Sequence, residues 1–167
     1  NTSINSDNLR HWLNSILNSL GENRIESVVI LNGHHGNMET LRRLHSESFQ
    51  ILERSGVMPK DHSMGIIFNI SYWTRMKHEF DHAGFVETSL MLAISDKVKM
   101  KKAKKGLITK GLSEKEIQRI NKLSTEQGGF PKVAKNGVWG DPTKATKKDG
   151  EKFLAEIVRN LAKECQS

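Results

Sequence analysis

The sequence predicts an α/β fold, a three-layer α/β/α sandwich around a mainly parallel sheet, and three observations carry that prediction. Val28-Val29-Ile30-Leu31 is a short unbroken run rich in β-branched residues, the pattern of a strand buried on both faces of a parallel sheet. A second strand-like run, Met64 to Ile70, follows roughly 40 residues later, a separation that suits a βαβ crossover. Between them Met38, Leu41, Leu44, Phe49 and Leu52 recur at helical spacing, so strand, helix and strand succeed one another. At 167 residues the chain fits a single domain spanning 1–167.

Each element has local support. Leu9, Leu13, Ile16, Leu17 and Leu20 line one face of an opening helix, with Ser6 or Asp7 as N-cap and Gly21 just past its end. The first strand runs into the polar loop Asn32-Gly33-His34-His35-Gly36-Asn37, and the helix behind it is expected to end near Gly56. Val86 to Ile94 predicts a further helix, and residues 107–126 carry a weaker, polar helical pattern. Asp141 is expected to cap the closing helix with Pro142 in its first position, and Phe153, Leu154, Ile157, Val158 and Leu161 to form its apolar face. Only two strands are legible where an α/β sheet has about five, so further strands and site residues are expected upstream of Asn1.

Composition narrows the function classes. Apolar residues make up 36% and charged residues 27% of the chain, enough for a modest core. No apolar run approaches the ~18 residues that span a bilayer, and Asn1-Thr2-Ser3-Ile4-Asn5 lacks the order of a signal peptide, so a soluble cytoplasmic protein is expected. The single cysteine, Cys165, excludes an internal disulfide framework and a cysteine-based zinc site. The net charge of +7 resides in one tract: Lys97, Lys99, Lys101, Lys102, Lys104, Lys105 and Lys110, with no acid among them and 19 basic against 19 acidic residues elsewhere. Arginines and aromatics, which read and stack on bases, are absent from the tract. A solvated face is therefore expected there, and nucleic acid is not.

Two clusters offer chemistry. The loop Asn32 to Asn37 stands at the carboxyl end of a strand and opens onto a helix, where open α/β sheets bind ligands. His34 and His35 offer imidazoles as metal ligands or proton carriers; the plainer alternative is a loop with surface histidines. Gly33 and Gly36 do not complete a GxGxxG pattern, so dinucleotide binding is not expected. The second cluster, Asp81-His82-Ala83-Gly84-Phe85-Val86-Glu87, puts a carboxylate, an imidazole and another carboxylate at a helix start. Such sets suit divalent zinc, manganese or iron, which lower the pKa of water and polarise a carbonyl. The alternative is a capping Asp81, a core-edge His82 and a Glu87 favoured by the helix dipole.

The loop NGHHGN behind a VVIL strand, the segment DHAGFVETSLML and the later NGVWGDPTKATKKDGEK together resemble, in this order, signatures of the creatininase (creatinine amidohydrolase) family. The resemblance covers essentially the whole chain, and the pairing of NGHxGN with HAGxxETS is its specific part. It implies a metal-dependent amidohydrolase of compact α/β fold, acting on a non-peptide C–N bond of cyclic amide or formamide type in a small-molecule amide substrate. It also implies two divalent ions in the full-length protein and a homo-oligomer, a hexamer. By the resemblance His34 and Glu87 are metal ligands, and His82 is the proton shuttle to the leaving nitrogen with Asp81 beside it. His35, Trp73 and His78 stand at substrate positions. Creatininase proper has Tyr-Glu where this chain has His35-Gly36, Glu where it has Asp81 and a second substrate tryptophan where it has His78, which argues against creatinine itself. The family's N-terminal ligand segment, a Glu, a His and a bridging Asp, has no counterpart. The chain thus resembles the C-terminal two-thirds of a full-length member and is expected to hold metal weakly or not at all. The alternative function is a non-catalytic scaffold or assembly subunit of the same fold.

Overall fold

The computed structural model describes residues 4–25, 27–44, 66–126 and 128–164. They form two compact units, Asn1–Thr74 and Arg75–Ser167.

The first unit opens with helix α1, Ser6–Glu22. Its N-cap is Asn5, whose side-chain oxygen accepts from the Asp7 amide at 2.8 Å; Ser6 and Asp7, expected as caps, lie within the first turn, where Asp7 suits the positive end of the helix. Gly21 also stays inside α1. The chain reverses instead through Asn23, whose amide donates to Ser19 and Gly21 carbonyls, and through Arg24, which takes a left-handed φ of 60°. Leu9, Leu13, Leu17 and Leu20 are half-buried, whereas Ile16 is exposed.

Strands β1 (Ser27–Asn32) and β2 (Ile66–Ser71) pair in parallel, Ser27 opposite Ile66 and Asn32 opposite Ser71. The α/β class and the parallel pairing are those read from the sequence. Burial on both faces of β1 is not: exposure alternates along it, with Val29 at 46% and Leu31 at 56%. An unbroken apolar run records composition but not which faces find cover. Helix α2 starts at 38 and is described to 44. Thr40, Leu41 and Leu44 are buried on it, and the Leu41 carbonyl accepts from the Asn69 side chain of β2 at 3.0 Å. Met38, expected on the buried face, sits on the first helical position and is exposed. Phe49, Leu52, Gly56, Met64 and Gly65 lie outside the described residues.

The second unit contains α3 (Phe85–Ile94), α4 (Glu114–Thr125), α5 (Phe130–Val133) and α6 (Lys147–Glu164). Helices α3 and α6 meet at Gly150, where a Cβ would stand 1.8 Å from the Ser89 carbonyl oxygen. Val86 and Ser89 of α3 and Ile157 of α6 are buried there. The α6 start differs from the expected one. Asp141 accepts from the amide and hydroxyl of Thr143 and opens a separate 3-10 turn, Pro142–Lys144. Thr146 caps α6, its hydroxyl donating to Asp149 Oδ2 at 2.6 Å and accepting from the Asp149 amide at 3.1 Å. An Asp-Pro pair opens either kind of helix, and the second capping pair decides between them. On α6 Ile157 is buried, Phe153 and Leu161 are half-buried, and Leu154 and Val158 are exposed. Helix α4 is better specified than its polar pattern suggested, because Ser113 and Glu116 form a complete capping box. Arg75 pairs with Glu164 and its carbonyl accepts from Asn160, fastening the start of this unit to the end of α6. No helix among the described residues is long and apolar enough to cross a membrane.

Candidate functional site

In the first unit the loop is organised by a buried polar residue. Asn32, at the end of β1 and 3% exposed, accepts from the His34 amide at 3.1 Å and from the Asn37 side chain at 3.4 Å, and donates to Ser71 Oγ at 3.3 Å. Both strand ends and the loop are thereby tied to one amide. His34 has extended backbone and caps the 3-10 turn His35–Asn37, its Nδ1 accepting from the Gly36 amide at 3.2 Å. A neutral imidazole that accepts at Nδ1 carries its proton on Nε2. Ligation through Nε2 therefore requires the proton to move to Nδ1 and the Gly36 amide to lose its acceptor. The His35 ring lies 5.8 Å from the Trp73 ring, and Tyr72 meets Trp73 edge-on at 5.3 Å. Two of the three expected substrate residues, His35 and Trp73, are thus neighbours.

In the second unit the DHAGFVET segment folds back on the start of α3. Asp81 Oδ2 accepts from the Val86 amide at 2.9 Å and Oδ1 from the Glu87 amide at 3.2 Å, satisfying first-turn donors that the helix cannot satisfy itself. Gly84 stands at the N-cap without a side chain to do so, and a Cβ there would meet Asp81 Oδ2 at 2.4 Å. Ala83 adopts a left-handed φ of 51°, its amide donates to Glu87 Oε2 at 2.6 Å, and its carbonyl accepts from the Thr88 hydroxyl at 3.3 Å. His82 exchanges two backbone hydrogen bonds with Trp139, at 3.0 and 2.8 Å, and its ring meets Phe130 edge-to-face at 4.5 Å. The segment thus presents a half-buried imidazole and a half-buried carboxylate from backbone fixed on both sides. Asp81, read beside His82 as a partner of its ring, engages backbone amides with both oxygens. The third expected substrate residue, His78, packs against Phe85 and Phe153 at 5.6 and 5.3 Å.

Taken separately, each unit offers a donor of the type that zinc or manganese accepts, an imidazole nitrogen at His34 in the first and a carboxylate at Glu87 in the second. Among the described residues no group of three His, Cys, Asp or Glu side chains gathers as a metal site. Four further residues shape these arrangements. Asn32 was legible as the first residue of an Asn-Gly turn and Gly84 and Trp139 by their places in the motifs, though the pairing of Trp139 with His82 was not, while Phe130 reaches His82 only through tertiary structure and carries no local signal.

Comparison with known proteins places these arrangements in context. The family model described as creatininase, creatinine amidohydrolase, matches residues 1–165. A mycofactocin precursor peptide peptidase from Mycobacterium ulcerans (strain Agy99) is 31% identical over 135 residues, which is 80% of this chain and 45% of the relative. The crystal structure of a creatinine amidohydrolase aligns with a TM-score of 0.72 at 20% identity, covering 98% of this chain and 64% of that one. A mutant creatininase of Zn-Zn type and a manganese creatininase align with the same TM-score of 0.72. The chain spans less than half the length of the curated relative and less than two-thirds of the solved chains.

Proposed function

The chain belongs to the creatininase family, and on that premise we propose that the protein is a metal-dependent amidohydrolase that cleaves a C–N bond of cyclic amide or formamide type. The observation that carries the reading is the DHAGFVET segment, in which Glu87 is held by the Ala83 amide and His82 by Trp139. When bound, a divalent ion would polarise the amide carbonyl and lower the pKa of the attacking water. His34 and Glu87 are the proposed ligands from this chain, supported by their donor chemistry and by the Zn-Zn and manganese forms of the structural relatives. His82 hands a proton to the departing nitrogen, and Asp81 acts as a positioning residue that builds the helix start from which Glu87 projects. His35 and Trp73 offer adjoining ring faces to a planar amide, with His78 as the third proposed substrate residue. The family match runs through both units, which supports one creatininase-like domain, and we extend the proposal to a cytoplasmic homo-oligomer, a hexamer, to be read by light scattering.

A peptide amide is the second reading for the scissile bond, favoured by the name of the relative at 31% identity. The test is turnover and metal content of the full-length protein on formamides, cyclic amides and short peptides. His82→Ala should lower turnover by ~10²- to 10⁴-fold with metal retained, whereas His34→Ala should lower both. If His82→Ala keeps its activity, or loses it only by unfolding, the proton-shuttle role is wrong.

A further inference from the structure

The lysine tract is not a free tail. Gly106 and Leu107 donate to the Gly140 and Val138 carbonyls at 3.0 and 2.9 Å, Gly140 donates back to Leu107 at 2.9 Å, and the Asn136 side chain donates to the Lys105 carbonyl at 3.1 Å. Residues 105–107 are thus pinned to the NGVWGDP segment, the seven ammonium groups within and around them are exposed, and among the described residues none forms an ion pair. Lys105 is close enough to the Asp141 carboxylate to help hold it below its ordinary value, and the like charges around it still raise a local positive potential that an anion relieves. The tract is also concave. A cleft of about 670 Å³ is lined by Lys99, Lys101, Lys102 and Lys104 together with Ala83 and Thr88 of the DHAGFVET segment. That volume lies within the range of ligand pockets, ~300 to 1,000 Å³. Its lining adds Val98, Met100 and Val138, apolar ground for aliphatic stems between the charges.

We propose that this cleft binds an acidic peptide segment, the flank of the substrate that lies beyond the scissile amide. The site rests on the amidohydrolase reading only in assigning the segment to a substrate. The chemistry favours carboxylates in series: the lysines are point charges spaced along the chain, and no arginine fork lines the cleft to grip a phosphate in two-pronged fashion. No aromatic lines it to stack a base. Its shared wall with Ala83 and Thr88, which are hydrogen-bonded to each other and, through Ala83, to Glu87, puts the bound segment against the backbone that holds the proposed ligand.

The probe is a blocked tetraglutamate peptide, titrated calorimetrically into the intact chain without any turnover, beside tetraglutamine, pyrophosphate and a short oligothymidylate. Tetraglutamate should bind, tetraglutamine should not, and the affinity should fall as salt rises. The triple variant Lys101→Gln/Lys102→Gln/Lys104→Gln should bind roughly tenfold more weakly, each exposed charge contact being worth a factor of about two. The control Lys147→Gln/Lys148→Gln/Lys163→Gln on α6 makes the same change in net charge and should bind as the parent does. Equal binding of tetraglutamate and tetraglutamine, equal loss in both triple variants, or tighter binding of oligothymidylate or pyrophosphate than of tetraglutamate would overturn the proposal. The two readings fail separately. Tract-dependent binding in a full-length protein that hydrolyses no amide leaves the site standing, and amide hydrolysis by a protein that ignores tetraglutamate leaves the enzyme standing without it.

Discussion

Asp81 accepts from the Val86 and Glu87 amides with its two oxygens, so a residue that in sequence reads as the neighbour of a reactive histidine spends its carboxylate on the start of α3. Asp81→Ala should therefore lower stability by about 1 to 2 kcal/mol, the usual worth of a helix cap, and Asp81→Asn, which keeps one acceptor, by less. Urea unfolding of the three proteins measures this; an Asp81→Ala midpoint equal to that of the parent would show that water replaces the cap. The site was legible in sequence to the extent that its residues are polar groups crowded into short loops, as His34, His35, Asp81, His82 and Glu87 are. What could not be read was the use each is put to. The Gly36 amide on His34 Nδ1 and the Phe130 ring on His82 depend on backbone angles and on distant segments that periodicity does not encode.

At the scale of elements, Gly150 separates two effects that oppose each other. Within an isolated helix, Gly→Ala stabilises by up to ~1 kcal/mol. Here the added methyl would stand 1.8 Å from the Ser89 carbonyl of α3, and overpacking of that kind costs typically 1 to 3 kcal/mol. Gly150→Ala should thus be net destabilising in chemical denaturation, and a more stable variant would mean that α3 and α6 can part at no cost. The helix caps predict a pH response. The Ser113 hydroxyl holds the Glu116 carboxyl, and the Thr146 hydroxyl the Asp149 carboxyl, below their ordinary values of 4.5 and 3.8. A depressed folded-state pKa contributes stability above the unfolded value and loses it as pH falls through the folded one. Amide protection at Glu116 and Asp149 should hold from pH 7 to 5 and decline below about pH 4, with Thr146→Ala weakening the decline at Asp149, whose carboxyl Lys152 and Lys148 also hold down. Helices α1, α3 and α6 were visible as apolar helical patterns and both strands as short apolar runs. The error at the α6 start arose because Asp141-Pro142 and Thr146-Asp149 are both valid openings, and only the packing against Ser89, whose hydroxyl takes the Thr146 amide at 3.3 Å, favours the second.

Over the whole molecule the charge of +7 is a local property, since the remainder carries 19 basic and 19 acidic residues. Replacing all seven tract lysines by glutamine should bring the chain to neutrality, abolish its retention on a cation exchanger at pH 7 and leave its circular dichroism unchanged, because the pinning hydrogen bonds of the tract are made by backbone and by Asn136. Retention that survives the replacement would locate the cationic character elsewhere. Charge gathered in one tract of an otherwise balanced chain also makes the molecule an electric dipole. A dipole approaching a polyanion turns before it touches, so productive collisions outnumber those of a molecule with the same net charge spread evenly. The gain is one of time: the association rate rises at low ionic strength and sinks with added salt, while the dissociation rate, set by contacts made after arrival, stays nearly constant.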